Sequence, residues 1–204
     1  MSNYTFRKSA TEKAQHWELS DQGLLRSQQG YRDILIPYTK IQKIRLFYHP
    51  NNRYRLNNYC CKITLENQTS YDIYSCTYDG FATFGDQSET YLPFVKELVQ
   101  KVKAANEDCK MIVGHTAPTY YGNIVFVVIA LSALFLLFSW MPAGYRNFFI
   151  VIKLIVIVYM GIYLAKSIRV NKPGHFNGTE IPDRVLPQLS GSATEDDQDV
   201  QRDK

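Results

Sequence analysis

Asn123–Trp140 reads NIVFVVIALSALFLLFSW, and Phe148–Ser167 follows as FFIVIKLIVIVYMGIYLAKS. The first run carries no charge over its 18 residues. At about 1.5 Å per residue it comes close to the length needed for a hydrocarbon core of roughly 30 Å. The second is interrupted by one lysine, Lys153. Only Met141–Asn147 separates the runs, and Pro142 and Gly144 suit a tight reversal. The pair predicts a two-helix transmembrane hairpin within residues 120–168, with spans at about 122–141 and 148–168.

Charge orients that hairpin. Lys101, Lys103 and Lys110 precede it, Lys166, Arg169 and Lys172 close or follow it, and Arg146 stands alone in the turn. A Lys/Arg excess marks the cytoplasmic flank. The expectation is a two-span protein of the bacterial inner membrane with both termini cytoplasmic. Tyr120, Tyr121, Trp140, Tyr145, Phe148 and Phe149 gather at the span ends, as in aromatic belts. Lys153 reads as a snorkelling lysine, with an ion path as the functional alternative. Gly161 and Ala165 form a small-xxx-small pair that permits close helix approach.

Upstream, the composition changes. Residues 1–119 hold 15 Lys and Arg against 12 Asp and Glu, a balance of +3. That is mildly basic, enough for weak attraction to anionic lipid and too little for nucleic acid. The mean hydropathy of −0.24 averages this polar part with the apolar runs. The N-terminus, MSNYTFRKSATEK, has no apolar signal region, and residues 1–15 read as a flexible lead-in. Cys60, Cys61, Cys76 and Cys109 form no CxxC pair and no zinc-ligand spacing, which points to buried, reduced thiols.

From His16 the pattern is one of short strands and turns. HWELS precedes the turn Asp21-Gln22-Gly23, and GLLRSQQ and YRDILIPY follow. Ile44, Leu46 and Tyr48 alternate with Lys43, Arg45 and Phe47. Tyr59, Cys61, Ile63 and Leu65 alternate with Cys60, Lys62, Thr64 and Glu66. TSYDIYSC forms the next run, and His49–Asn58 reads as an Asn-rich loop. Such alternation predicts antiparallel strands with one buried face. The period then changes: Tyr91, Val95, Leu98, Val99 and Val102 share one face of a helix over about Ser88–Ala105. Pro93 is tolerable in its first turn, and Ser88 or Thr90 could cap it.

W-E-L-S-x-x-G-L at Trp17–Leu24, I-L-I-P-Y-x-x-I at Ile34–Ile41 and the amphipathic helix together resemble a bacterial pleckstrin-homology-like (PH-like) domain. The chain is also similar to a group of small proteobacterial membrane proteins with a C-terminal transmembrane hairpin. The segments that carry this are Tyr59–Leu65, Ser75–Gly80, Tyr91–Leu98 and Ile181–Pro187, within a likeness covering residues 16–187. The resemblance implies an α+β fold: a PH-like antiparallel β-barrel over residues 16–113, closed by its C-terminal amphipathic helix and followed by the hairpin. Residues 169–204 are then a polar, mostly disordered tail. The group carries no settled activity, so none is implied.

Two surfaces stand out. Lys40, Lys43, Arg45, Arg53, Arg55 and Lys62 gather basic charge on two strands and their loop, a candidate patch for an anionic lipid headgroup. A solvated strand face is the plain alternative. Thr77–Tyr91 holds Tyr78, Phe81 and Phe84 among glycines, a candidate partner surface unless the rings fold back onto the domain. His16, His49, His115 and His175 are scattered, and no catalytic or metal motif occurs. The expectation is therefore no enzyme, no cofactor and no metal. What remains is a membrane-anchored binding or scaffold module that holds a protein partner or a second copy and contacts the bilayer. The alternatives are an accessory subunit of a transport or envelope-biogenesis complex and a secreted effector that inserts into host membranes.

Overall fold

A computed structural model describes residues 2–51, 56–81, 83–139, 168–178 and 180–188; side chains at 50, 51, 56, 57, 134, 135 and 137–139 are not described. The chain divides into two compact units, Met1–Val113 with His175–Lys204, and Gly114–Gly174.

The first unit is mostly sheet. β1 (Asn3–Phe6), β2 (Gln15–Leu19), β3 (Leu24–Gln28) and β4 (Ile34–Ile36) form an antiparallel sheet in chain order. β1 was not expected, because residues 1–15 read as a flexible lead-in. Tyr4 and Phe6 explain it: their rings are buried on one side, while Asn3 and Thr5 face out. Tyr4 packs against Tyr91 and Phe94 at 5.8 and 5.5 Å between ring centroids.

A 3-10 turn at Tyr38–Lys40 leads into β5 (Ile41–Asn51). β5 pairs with β6 (Leu56–Leu65), and β6 with β7 (Ser70–Tyr74), all antiparallel. Both long strands extend into the stretch expected as a loop, leaving only residues 52–55 outside the description. β8 (Cys76–Gly80) and β9 (Thr83–Asp86) make a separate hairpin. Helix α1 (Ser88–Ala105) buries Tyr91, Phe94, Val95, Leu98, Val99 and Val102. Neither Ser88 nor Thr90 is its N-cap, which is Gln87; the Asp86 carboxylate accepts from Ser88 N at 3.0 Å and Ser88 Oγ at 2.5 Å. β10 (Lys110–Val113) then runs parallel to β5, and β11 (Gly174–His175) adds at the outside, giving the order β11-β10-β5-β6-β7.

The closed PH-like barrel is thus overturned. Its strands stand in sheets of four, five and two. The reason lies at β5: one edge is paired with β6 and the other with β10, so no edge remains for β4. Nor is α1 a terminal plug, because the chain continues from it into β10. The core lies where Trp17, Leu19 and Leu24 meet Ile44, Leu46, Ile63 and Ile73, with the apolar face of α1; all seven of those side chains are fully enclosed. Trp17 packs edge-on to Tyr71 at 5.8 Å between centroids. Within the described part of the tail, Phe176, Val185 and Leu186 are buried, and a 3-10 turn spans Asp183–Val185.

In the second unit, α2 (Ala117–Ser139) carries the first apolar run. The membrane hairpin is overturned too: among the described residues no helix is long and apolar enough to cross a membrane. The first turns of α2, APTYYGN, are polar and aromatic. The apolar stretch that follows, at 124–138 with Ser132 within it, extends only about 22 Å, short of a core of roughly 30 Å. The two-span inner-membrane location and its cytoplasmic termini fall with it. Met141–Asn147, Lys153, Gly161 and Ala165 lie outside the described residues.

Candidate functional site

The β8–β9 hairpin carries Phe81, the most exposed aromatic ring among the described residues of the first unit. Cys76 pairs with Asp86, Thr77 with Gly85 and Tyr78 with Phe84, and the register shifts by one residue before Gly80 meets Thr83. Such a shift twists the tip away from the ladder. Gly80 has φ +109° and Phe81 φ +44°, so two consecutive residues occupy left-handed space. For glycine this is easy, and for a bulky L-residue it is costly. Phe81 is nevertheless there, with its ring fully in solvent at 104% relative exposure.

The expected partner residues therefore separate into two kinds. Tyr78 and Phe84 face one another at 5.4 Å and 77°, both half-buried, and the Arg7 guanidinium stands 5.3 Å from the Tyr78 ring. They stiffen the hairpin stem. Phe81 alone projects. The stem is tied to β1 as well: Tyr78 N donates to Arg7 O at 2.7 Å, and Arg7 N donates to Thr77 Oγ1 at 3.0 Å. At its root Ser75 is completely buried, accepting from Tyr59 N through Oγ at 2.9 Å while its own N–H donates to Tyr59 O at 2.9 Å.

The expected basic patch is brought together only in part. Arg45 and Lys62 are cross-strand partners on the same face of β5 and β6, and Lys43 lies one pair along, opposite Thr64. Lys62 is already engaged by Asp72 at 3.4 Å. Burial lowers the pKa of Arg45, and its Nε is enclosed with no acceptor among the described residues. Lys40 sits apart on the exposed 3-10 turn, and Arg53 and Arg55 lie outside the description. The remaining pair is a partly buried, partly neutralised row rather than an open anion patch.

The thiols are not poised for chemistry. All four cysteines are buried thiols outside any disulfide among the described residues. Burial pushes Cys76 and Cys109 up to about 11, and raises Cys60 and Cys61 as well. A thiol held protonated is a poor nucleophile and metal ligand. Among the described residues no three His, Cys, Asp or Glu side chains converge to hold a metal.

Sequence reasoning missed a cavity of about 260 Å³ at the foot of the hairpin, lined by Lys8, His49, Asn58, Tyr74, Cys76 and Phe84. These six positions come from separate strands and the segment after β1, so no local spacing announces them. This cavity opens to solvent, as does a second groove between α1 and the tail, lined by Lys96, Gln100, Gly178 and Glu180–Asp183. Comparison with known proteins finds no family model, no curated protein and no solved structure that matches the chain.

Proposed function

We propose that the protein is a non-catalytic binding module that engages a protein partner through the tip of the β8–β9 hairpin. The observation that carries this is Phe81: a large apolar ring, wholly in solvent, on a backbone conformation that its own side chain disfavours. Aromatic anchors of this kind dominate protein interfaces once desolvated. The stem beneath it is braced by the Tyr78–Phe84 pair and by the hydrogen bonds to Arg7. A rigid mount lowers the ordering cost of binding. Buried neutral thiols and scattered histidines support a binding role over a catalytic one.

The test is a photo-crosslinker at position 81 in the full chain, used in cells, beside Phe81→Asp. A discrete crosslinked protein, lost from affinity captures of Phe81→Asp while thermal stability is retained, is the expected result. If Phe81→Asp captures the same proteins as the parent chain, the hairpin tip is not the contact.

A further inference from the structure

We propose that the cavity at the foot of the hairpin binds a small organic anion with an apolar body, a carboxylate or phosphate monoester on an aromatic or branched group. This goes beyond the partner-binding reading and does not rest on it. The cavity holds about 260 Å³, the volume of roughly eight or nine waters, which suits a single-ring molecule rather than a nucleotide.

Its chemistry is one-sided. None of the six lining residues is acidic, whereas Lys8, His49 and Asn58 carry nitrogen donors. Lys8 is exposed, and its ammonium stands 5.6 Å from the centre of the Tyr74 ring, a cation–π arrangement that keeps the charge at the cavity wall. The carboxylates whose fields reach the lining groups are Asp72, Glu12 and Asp86, and none of them lines the cavity. Asp72 is taken up by Lys62 and Asp86 by Ser88. Tyr74 and Cys76 are held neutral by burial, so neither repels an anion. Asn58 opposes His49 across the β5–β6 ladder, and its Oδ1 is buried with no donor among the described residues. That oxygen can only accept, so it suits a hydroxyl or N–H on the body of an occupant and leaves the acid end to Lys8. The rings of Tyr74 and Phe84 supply the apolar wall. Charge-assisted hydrogen bonds to Lys8 then fix the acid end while the rings hold the body.

The test uses the full chain and ligand-observed NMR with four probes: phenyl phosphate, 3-phenylpropanoate, the neutral 3-phenylpropan-1-ol and inorganic phosphate. At least one of the two acids is expected to bind saturably. The alcohol and inorganic phosphate should each bind about tenfold more weakly, having lost one half of the recognition. Whichever acid binds more tightly identifies the headgroup. Lys8→Gln is expected to weaken the acids by about tenfold and Lys8→Arg to retain them. Lys8 is exposed, so neither change threatens the fold. The proposal is overturned if neither acid saturates below about 10 mM, if the alcohol or inorganic phosphate matches the better acid, or if Lys8→Gln leaves affinity unchanged.

Discussion

Ser75 shows how much one hydroxyl can hold. It is fully enclosed between β7 and β8, and it receives the Tyr59 amide where the ladder to β6 ends. Ser75→Ala leaves that buried N–H without a partner, at a cost of about 1–3 kcal/mol. Urea denaturation is the direct check. Gly23 is a second such position. A Cβ there would stand 2.4 Å from Ile36 O and 3.1 Å from Pro37 Cα, both backbone atoms that cannot swing aside. Gly23→Ala is expected to lose about 2–4 kcal/mol, read from the same denaturation curves. The buried titratable groups set a pH response. Cys76 and Cys109 are raised to about 11 from 9, and Tyr38 to about 12 from 10, chiefly by burial. Above pH 9 the unfolded chain releases protons that the folded chain retains, so alkalinity favours unfolding. Stability is therefore expected to be level below about pH 8 and to fall between pH 9 and 12; urea midpoints at pH 7.5 and 10.5 give the sign.

Among the elements, α1 and the β5–β6 pair were the most legible in the sequence. Tyr91, Val95, Leu98, Val99 and Val102 recur at helical spacing, and the helix spans Ser88–Ala105 as that spacing implies. Pro93 lies within the first two turns, and the helix runs through it. Ile44, Leu46 and Tyr48 do face Ile63, Cys61 and Tyr59. Cys60 broke the alternation rule: expected outward, it is 1% exposed, because it lies between Phe47 and Tyr74 on the neighbouring strands. β1 and β10 were invisible, each being four residues long and stabilised by distant partners rather than by local pattern. The β8–β9 hairpin was legible in its composition but not in its geometry. Its tip carries a further expectation: Phe81→Asn should raise stability by about 0.5–1 kcal/mol, since asparagine tolerates left-handed backbone better and no packed ring is lost. The thermal midpoint measures the gain, and affinity capture with Phe81→Asn measures what it costs.

At the scale of the molecule, the correction comes from edges and lengths. Strand order in a small β domain depends on which edge each strand leaves free, and β5 leaves none. No alternation within residues 41–51 encodes that β10, far along the chain, will claim the second edge. Apolar runs likewise announce greasiness more clearly than span: α2 is apolar over its later part, yet its polar opening turns shorten the useful stretch. The cavity at the hairpin foot was hidden for a related reason, being assembled from six positions between Lys8 and Phe84. Phe94→Ala probes the assembled core. Its ring is 1% exposed and stacks near Tyr4, so the loss should be about 3–5 kcal/mol by calorimetry, coupled to loosening of β1.

The parallel strand beside β5 also governs how the protein can be made. Lys110–Val113 closes against Lys43–Leu46 only after the intervening chain has been synthesised and laid down. Until then a nascent polypeptide shows a long ladder with one row of amides and carbonyls open to any passing strand. A version stopped at residue 105 would keep most of its buried side chains and yet remain sticky. It should precipitate or self-associate on release from the ribosome, where the chain that continues to residue 113 stays dispersed.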